Sequence, residues 1–216
     1  MTELEEILRG GTLLLDAAMG SALLARGLKG SAPAWNLTHP DEVLAVHRSH
    51  VAAGAELVLT NTFVGASAEE TAAALDVARR SGARFVAGSL WAGLPDLAQQ
   101  IARLAGADAI WLETATRPEQ ALAAVRTAVA ATALPVVITC AMVVAPLSQL
   151  RDAGASAAGY NCRPWPADAR GADVLKPDSA GLAPDEWAHR LAPARLRGGC
   201  CGTDPGHLQR LRATPR

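Results

Sequence analysis

Three cysteines toward the end of the chain have the residue type and the spacing of a metal site. Cys200 and Cys201 are adjacent and stand between glycines in the stretch RLRGGCCGTDPGHL, and Cys162 ends the stretch AAGYNC. The whole chain has only four cysteines. Neighbouring cysteines rarely form a disulfide with each other, because the peptide between them would be strained. The pair therefore either packs in the core or binds something jointly.

Zinc is the metal that such a set of thiols favours. Thiolates bind Zn²⁺ in tetrahedral geometry, and a catalytic zinc site keeps one of its four positions open. Gly198, Gly199 and Gly202 allow the turn that consecutive cysteines need to point at one ion. The spacing alone is not that of a zinc finger, and inert packing of the cysteines is the alternative. Cys140 has no counterpart in this pattern and is expected in the core.

These cysteines end short apolar runs that predict buried β-strands. Eight such runs occur along the chain: TLLLDA (12–17), LVLTNTF (57–63), RFVAGSL (84–90), AIWLETA (109–115), PVVITCA (135–141), AAGYNC (157–162), VLKPD (174–178) and LRGGCC (196–201). Most of them are continuously apolar, as expected for parallel strands covered by helices.

The stretches between the apolar runs predict helices. Capping-box patterns pair Ser67 with Glu70 and Thr116 with Glu119. The weakest helix is predicted around PADARGAD (166–173). Alternating strands and helices of this number predict a compact (β/α)₈ TIM barrel of the α/β class, formed by residues 1–216 as a single domain. An open doubly wound sheet is the alternative.

Polar residues gather where the predicted strands end. In a parallel barrel the C-terminal ends of all strands meet at one face, which carries the active site. A structural protein has no reason to collect carboxylates, amides and thiols around one opening, so the pattern predicts an enzyme. Cys162 would meet Cys200 and Cys201 there, because strands six and eight end close together. The other polar residues at strand ends are Asp16, Thr60, Asn61, Thr62, Ser89, Glu113, Thr114, Thr139, Asn161 and Asp178.

Composition excludes several classes of protein. The chain is 50% hydrophobic and 19% charged with a formal net charge of -1, which suits a globular domain and not a disordered chain. A near-neutral net charge lacks the excess of positive charge that is typical of proteins that bind nucleic acid or an anionic membrane. The N-terminal stretch MTELEEILRG is acidic, unlike a signal peptide, and no apolar run predicts a membrane span. We therefore expect a cytoplasmic protein with reduced cysteines.

Five stretches, taken in order, carry a family resemblance across nearly the whole chain, from about Leu13 to Leu211. They are LLLDAAMGSALLARG, HRSHVAAGAELVLTNTF, GADAIWLET, GYNC and GGCCGT. Together they resemble the motifs of the homocysteine S-methyltransferase family. These zinc-dependent barrel enzymes include betaine–homocysteine methyltransferase and the homocysteine domain of cobalamin-dependent methionine synthase. The last two stretches resemble the family's zinc motifs and are the most diagnostic.

The resemblance implies zinc-dependent transfer of a methyl group to the thiol of homocysteine, giving methionine. Its partners would be homocysteine or a related thiol, and a small-molecule or corrinoid methyl donor that the sequence does not identify. Glu113 would bind the amino group, and backbone amides near Ala17 and Ala18 would hold the carboxylate. The implied Zn²⁺ ligands are Cys162, Cys200 and Cys201, and the implied substrate-binding residues are Asp16, Ala17, Ala18, Asn61, Thr62, Glu113 and Asn161.

The chain also departs from the family's pattern. It is shorter than is usual in the family, with losses expected after Phe63, Leu90 and Cys162. His50 stands in place of a tyrosine, and Asp178 in place of an asparagine. The zinc motifs are intact, and the departures concern the end of the site that would receive the methyl donor. A non-catalytic descendant that keeps zinc and thiol binding but has lost the donor site is therefore the alternative function.

Overall fold

Eight parallel strands form the centre of the molecule in a computed structural model that describes residues 1–141, 146–162, 169 and 171–214. The strands are β1 (Leu13–Leu14), β2 (Leu57–Leu59), β3 (Phe85–Trp91), β4 (Ala109–Ala115), β5 (Val136–Cys140), β6 (Ala157–Cys162), β7 (Val174–Pro177) and β8 (Leu196–Arg197). They pair in the order β1-β8-β7-β6-β5-β4-β3-β2. A parallel bridge between Leu15 and Leu57 brings β1 beside β2 and nearly closes the ring. The predicted (β/α)₈ barrel is confirmed.

Helices connect the strands and cover the outside of the barrel. They are α1 (Glu3–Gly10), α2 (Met19–Ala25), α3 (Trp35–Thr38), α4 (Pro40–Ala52), α5 (Ala68–Arg80), α6 (Leu97–Arg103), α7 (Pro118–Ala131), α8 (Leu147–Asp152), α9 (Pro184–Arg190) and α10 (Pro205–Ala213). Of the helix predicted at 166–173, residues 166–168 and 170 lie outside the described residues, and residues 169 and 171–173 are not helical. In the described part of the chain, no helix is long and apolar enough to cross a membrane.

One of the two predicted capping boxes is confirmed. At the start of α5, the Ser67 side chain accepts a hydrogen bond from the Glu70 N–H, and the Glu70 carboxylate accepts one from the Ser67 N–H. The box predicted for Thr116 and Glu119 is wrong. The N–H and the hydroxyl of Thr116 both donate to Gln120 Oε1 instead, and the N-cap of α7 forms no side-chain hydrogen bond.

The inside of the barrel changes from apolar to polar along the strands. Side chains alternate between the two faces of a strand, so every second residue points inward. The lower inward layer is apolar and includes Leu13, Leu57, Phe85, Trp111, Val137, Ala157, Val174 and Leu196. Further along the same strands the inward positions are polar, at Ser89, Glu113, Thr139, Asn161 and Lys176. This upper layer forms the floor of the site.

Close pairing of β6 with β7 depends on Gly159. This residue pairs with Val174, and a Cβ added to it would lie 2.0 Å from the Val174 carbonyl oxygen. Any side chain at this position would push the two strands apart. The pairing matters for the site, because β6 ends at Cys162 and β7 carries Lys176.

We predict that Gly159→Ala lowers the free energy of unfolding by roughly 1–3 kcal/mol, the scale of an overpacked core. Urea denaturation measures the change. Gly10→Ala is the matched control, since no atom lies within 4 Å of the Cβ added at that helical position. Helix propensity makes the control neutral or stabilising. Equal destabilisation by both substitutions would contradict the prediction.

Candidate metal centre and substrate cavity

A cavity of about 410 Å³ opens at the C-terminal ends of the strands. Its lining includes the three clustered cysteines and all but one of the substrate-binding residues predicted from the sequence: Asp16, Ala17, Ala18, Asn61, Glu113 and Asn161. Thr62 is the exception. Its hydroxyl donates a 2.7 Å hydrogen bond to the Ser89 carbonyl, so it supports the wall of the cavity from behind.

The three predicted metal ligands lie together at one side of this cavity. The Cys162 Sγ atom is 2.6 Å from Cys200 Sγ and 3.5 Å from Cys201 Sγ, and the last two are 3.9 Å apart. All three are free thiols. Cys140 is also free but is fully buried in the apolar core outside this cluster, as expected.

Cys200 and Cys201 lie in the turn after β8, because the strand ends at Arg197 and not at Cys201 as predicted. Hydrogen bonds hold this turn in place. The Cys200 N–H donates to the Pro177 carbonyl at 2.8 Å, and the Thr203 N–H donates to the Cys200 carbonyl at 3.0 Å. Gly199 makes the turn sterically feasible, because a Cβ there would lie 2.1 Å from the Thr203 hydroxyl oxygen.

Asn161 connects the cysteines to the end of β4. Its side-chain oxygen accepts a 3.1 Å hydrogen bond from the Thr114 N–H, and its amide group donates a 2.9 Å bond to the Thr114 hydroxyl. The same amide nitrogen lies 3.9 Å from Cys200 Sγ. Thr114 and Cys162 both have positive φ angles, of 63° and 56°, which are unfavourable for residues with a side chain. Such backbone strain concentrates at functional sites.

The thiol cluster fits a tetrahedral zinc ion. With Zn–S bonds of about 2.3 Å, the sulfur atoms of a tetrahedral site lie about 3.8 Å apart. Two of the three observed separations, 3.5 and 3.9 Å, are close to this value. The third, 2.6 Å between Cys162 and Cys200, would have to lengthen. Three thiols and an open fourth position are the donor set of a catalytic zinc site.

The thiols also influence one another's protonation. Hydrogen bonds from Cys162 and Cys200 lower the pKa of Cys201. The bonds to Cys162 and Cys201, together with burial, raise the pKa of Cys200. Loss of a proton from one of these sulfur atoms therefore depends on the protonation of its neighbours.

Glu113 lies in the floor of the cavity and is buried. Its Oε1 atom accepts a 2.5 Å hydrogen bond from the Ser89 hydroxyl. The other oxygen, Oε2, has no hydrogen-bond partner among the residues that the structure describes. Burial raises the pKa of Glu113, while the positive charge of Lys176 and the bond from Ser89 act in the opposite direction. One carboxylate oxygen is thus left available to a ligand in the cavity.

Lys176 is a cavity residue that sequence reasoning missed. Its Nζ atom lies 2.5 Å from Asp16 Oδ1, and the two side chains are only 3% and 1% exposed. Burial favours the neutral amine, but the carboxylates of Asp16 and Glu113 outweigh it and raise the pKa of Lys176. One signal was present in the sequence. Lys176 stands two residues after Val174 in an apolar run, which places both on the same face of the strand.

Asn61 fixes the edge of the cavity. Its amide group donates a 2.7 Å hydrogen bond to the Ala32 carbonyl and a 3.2 Å bond to Asn36 Oδ1. These bonds hold the segment between α2 and α3 against the end of β2. Phe63 and Val64 follow in the lining and are 38% and 57% exposed, so the mouth of the cavity is apolar.

Comparisons with known proteins agree with this geometry. The family model described as homocysteine S-methyltransferase matches residues 13–91 and 95–214. The methionine synthase of Mycobacterium tuberculosis is 31% identical over 300 aligned positions, which cover 98% of this chain and 25% of that protein. The methionine synthase of Mycobacterium leprae is 29% identical with the same coverage. The chain therefore spans about a quarter of the length of these curated relatives.

The fold matches a solved structure from Escherichia coli. The apo form of the homocysteine methyltransferase MmuM superimposes with a TM-score of 0.73 at 21% identity, covering 95% of this chain and 96% of that one. Its metallated form gives a TM-score of 0.72. At this identity the likeness establishes the barrel, whereas the family model covers nearly the whole sequence. The chain belongs to the homocysteine S-methyltransferase family.

Proposed function

We propose that this protein is an enzyme that transfers a methyl group to the thiol of homocysteine, giving methionine. The observation that carries the proposal is the convergence of three thiols and a buried carboxylate, Glu113, on one cavity. The thiols can bind a metal ion and leave one of its coordination positions free, and the carboxylate can bind an ammonium group. Family membership and the names of the methionine synthases and of MmuM support the same activity.

Zn²⁺ is the cofactor that we propose for the three cysteines. When bound, it would lower the pKa of a coordinated thiol so that the sulfur is deprotonated at neutral pH. Cys162, Cys200 and Cys201 would hold it, and the turn after β8 keeps two of them at one edge of the cavity. We also propose a cytoplasmic location, where the cysteines of such a site stay reduced and able to bind the metal.

Glu113 would orient the substrate within the cavity. Its free Oε2 atom would accept hydrogen bonds from the ammonium group of homocysteine, which fixes the direction of the thiol chain toward the cysteines. The backbone amides of Ala17 and Ala18 would contact the carboxylate. Asp16 accepts hydrogen bonds at both oxygens, from Lys176 and from the Leu59 N–H, and these contacts hold it in place so that it would shape the pocket.

Methyl transfer would then follow from positioning. The homocysteine thiolate would attack the methyl carbon of the donor in line; the new S–C bond forms while the bond from methyl to the donor breaks, and that bonding pair leaves with the donor. Phe63 and Val64 at the mouth would keep water from this position. The donor would be a small sulfonium or ammonium compound or a methylated corrinoid.

Methionine formation tests the proposed function directly. We expect zinc-loaded protein and homocysteine to yield methionine with at least one of S-methylmethionine, S-adenosylmethionine, betaine and methylcobalamin, each supplied separately. Glu113→Gln should reduce the yield, because the substrate loses its orientation. No methionine from any donor would contradict the proposal and favour a non-catalytic thiol-binding protein.

We predict that the purified protein binds about one Zn²⁺ per chain through three thiolates, with about three sulfur ligands near 2.3 Å by X-ray absorption. The double variant Cys200→Ala, Cys201→Ala should lose the metal, because two ligands are removed. Elemental analysis measures the zinc content. Cys140→Ala is the matched control and should retain zinc, since Cys140 lies in the apolar core. Full zinc retention in the double variant would refute the assignment.

We predict that Glu113→Gln weakens homocysteine binding by roughly 1.5–3 kcal/mol, the scale of a hydrogen bond to a charged group. Zinc content should not change. Binding of 4-mercaptobutyrate, which keeps the thiol and the carboxylate but lacks the amine, should be affected much less. Calorimetry measures both ligands. Glu119→Gln is the control, because Glu119 is 71% exposed on α7. Equal losses for the two thiols would mean that Glu113 supports the barrel and not the substrate.

A further inference from the structure

Lys176 occupies a position where a charge is costly. Its ammonium group lies inside the barrel, directly above the apolar layer, with Nζ 6.0 Å from the centre of the Trp111 ring. Burying a charged group is unfavourable unless it is paired and hydrogen-bonded. Asp16 supplies one such partner at 2.5 Å. A pair needed only for stability could be replaced by apolar residues of similar volume, often without loss.

Lys176 has more hydrogen-bond donors than the described residues around it accept from it. A lysine ammonium has three N–H donors, and one of them goes to Asp16. Within residues 1–141, 146–162, 169 and 171–214, no other acceptor is hydrogen-bonded to Lys176. The second Asp16 oxygen, Oδ2, accepts a 2.8 Å bond from the Leu59 N–H and makes no hydrogen bond to Lys176. Two donors of Lys176 are therefore unused beside the cavity that it lines.

The floor of the cavity thus presents opposite charges side by side. Glu113 offers an unused carboxylate oxygen, and Lys176 offers unused N–H donors. Lys176 is the only lysine or arginine among the described residues that line this cavity. The remaining ionisable groups there are carboxyls and thiols, which are either neutral or negatively charged and so offer an anion no attraction. An anionic group of a ligand would find its counterpart at Lys176.

Building on the proposed function, we propose that Lys176 forms a carboxylate subsite in this cavity. Its free N–H donors bind the α-carboxylate of a zwitterionic, sulfur-containing amino acid while Glu113 binds the ammonium group. Ala17 and Ala18 follow Asp16 in the chain and line the same cavity, so their backbone lies on the side of the Lys176 ammonium. Lys176 is then a specificity-determining residue, because a ligand without a carboxylate leaves its donors unsatisfied.

Two thioethers test the subsite without relying on the thiol or on turnover. Methionine and 3-(methylthio)propylamine have the same sulfur chain and amine, and only methionine has the carboxylate. We expect the unmodified protein to bind methionine more tightly. Lys176→Met should weaken methionine binding roughly ten- to hundredfold, as expected when a charged hydrogen bond is lost. Binding of 3-(methylthio)propylamine should change less than about threefold, since it makes no such bond.

A double variant and a surface control keep the test decisive. Lys176→Met leaves Asp16 unpaired and can impair folding, whereas Lys176→Met with Asp16→Asn removes both charges and should show the same selective loss. Lys29→Met is the matched control, because Lys29 is the other lysine of the chain and is exposed. Equal weakening of both thioethers in the double variant would overturn the subsite, as would unmodified protein with no preference for methionine. Failure of methyl transfer alone would count against the proposed function and leave this binding result intact.

Discussion

The compensation of buried charge inside the barrel is the constraint on which the site depends. Asp16 and Lys176 are 160 residues apart in the sequence, yet their charged atoms lie 2.5 Å apart with almost no solvent contact. A buried charge without its partner is strongly destabilising. The two residues meet only because β1 pairs with β8, which stands beside β7. The pairing of the first strand with the last therefore also brings together the two charges at the floor of the cavity.

The cavity joins two chemically different halves. One half consists of three sulfur atoms that lie close enough together to bind one metal ion. The other consists of Glu113 and Lys176, whose charges suit the two ends of an amino acid. Asn161 lies between them, since it holds Thr114 next to Glu113 and places its amide near Cys200. This arrangement places the cysteine cluster and the two charged side chains in one cavity.

Sequence patterns predicted the barrel and most of the lining because both depend on local regularities. The run AIWLETA gave the bounds of β4 as observed, and AAGYNC those of β6. The end of β8 was placed too late, because an apolar run does not reveal where glycines turn the chain away from its neighbour. Lys176 is absent from the predicted site residues for a different reason. Its role depends on Asp16 and Glu113, which meet it only after the ring closes, and a single lysine in a strand gives no signal of such partners.

The division of the barrel interior into an apolar lower layer and a polar upper layer has an evolutionary consequence. The lower layer lies away from the mouth, so most of the apolar packing that stabilises the ring is independent of the loops at the rim. The alignment with the mycobacterial protein needs 300 positions for a chain of 216 residues, which means that the relative has segments without a counterpart here. Loops at the rim of a barrel tolerate such differences in length, so the mouth can change while the scaffold persists. Such a barrel is a suitable starting point for engineering, because new loops can be grafted onto the rim while the apolar layer below holds the ring together.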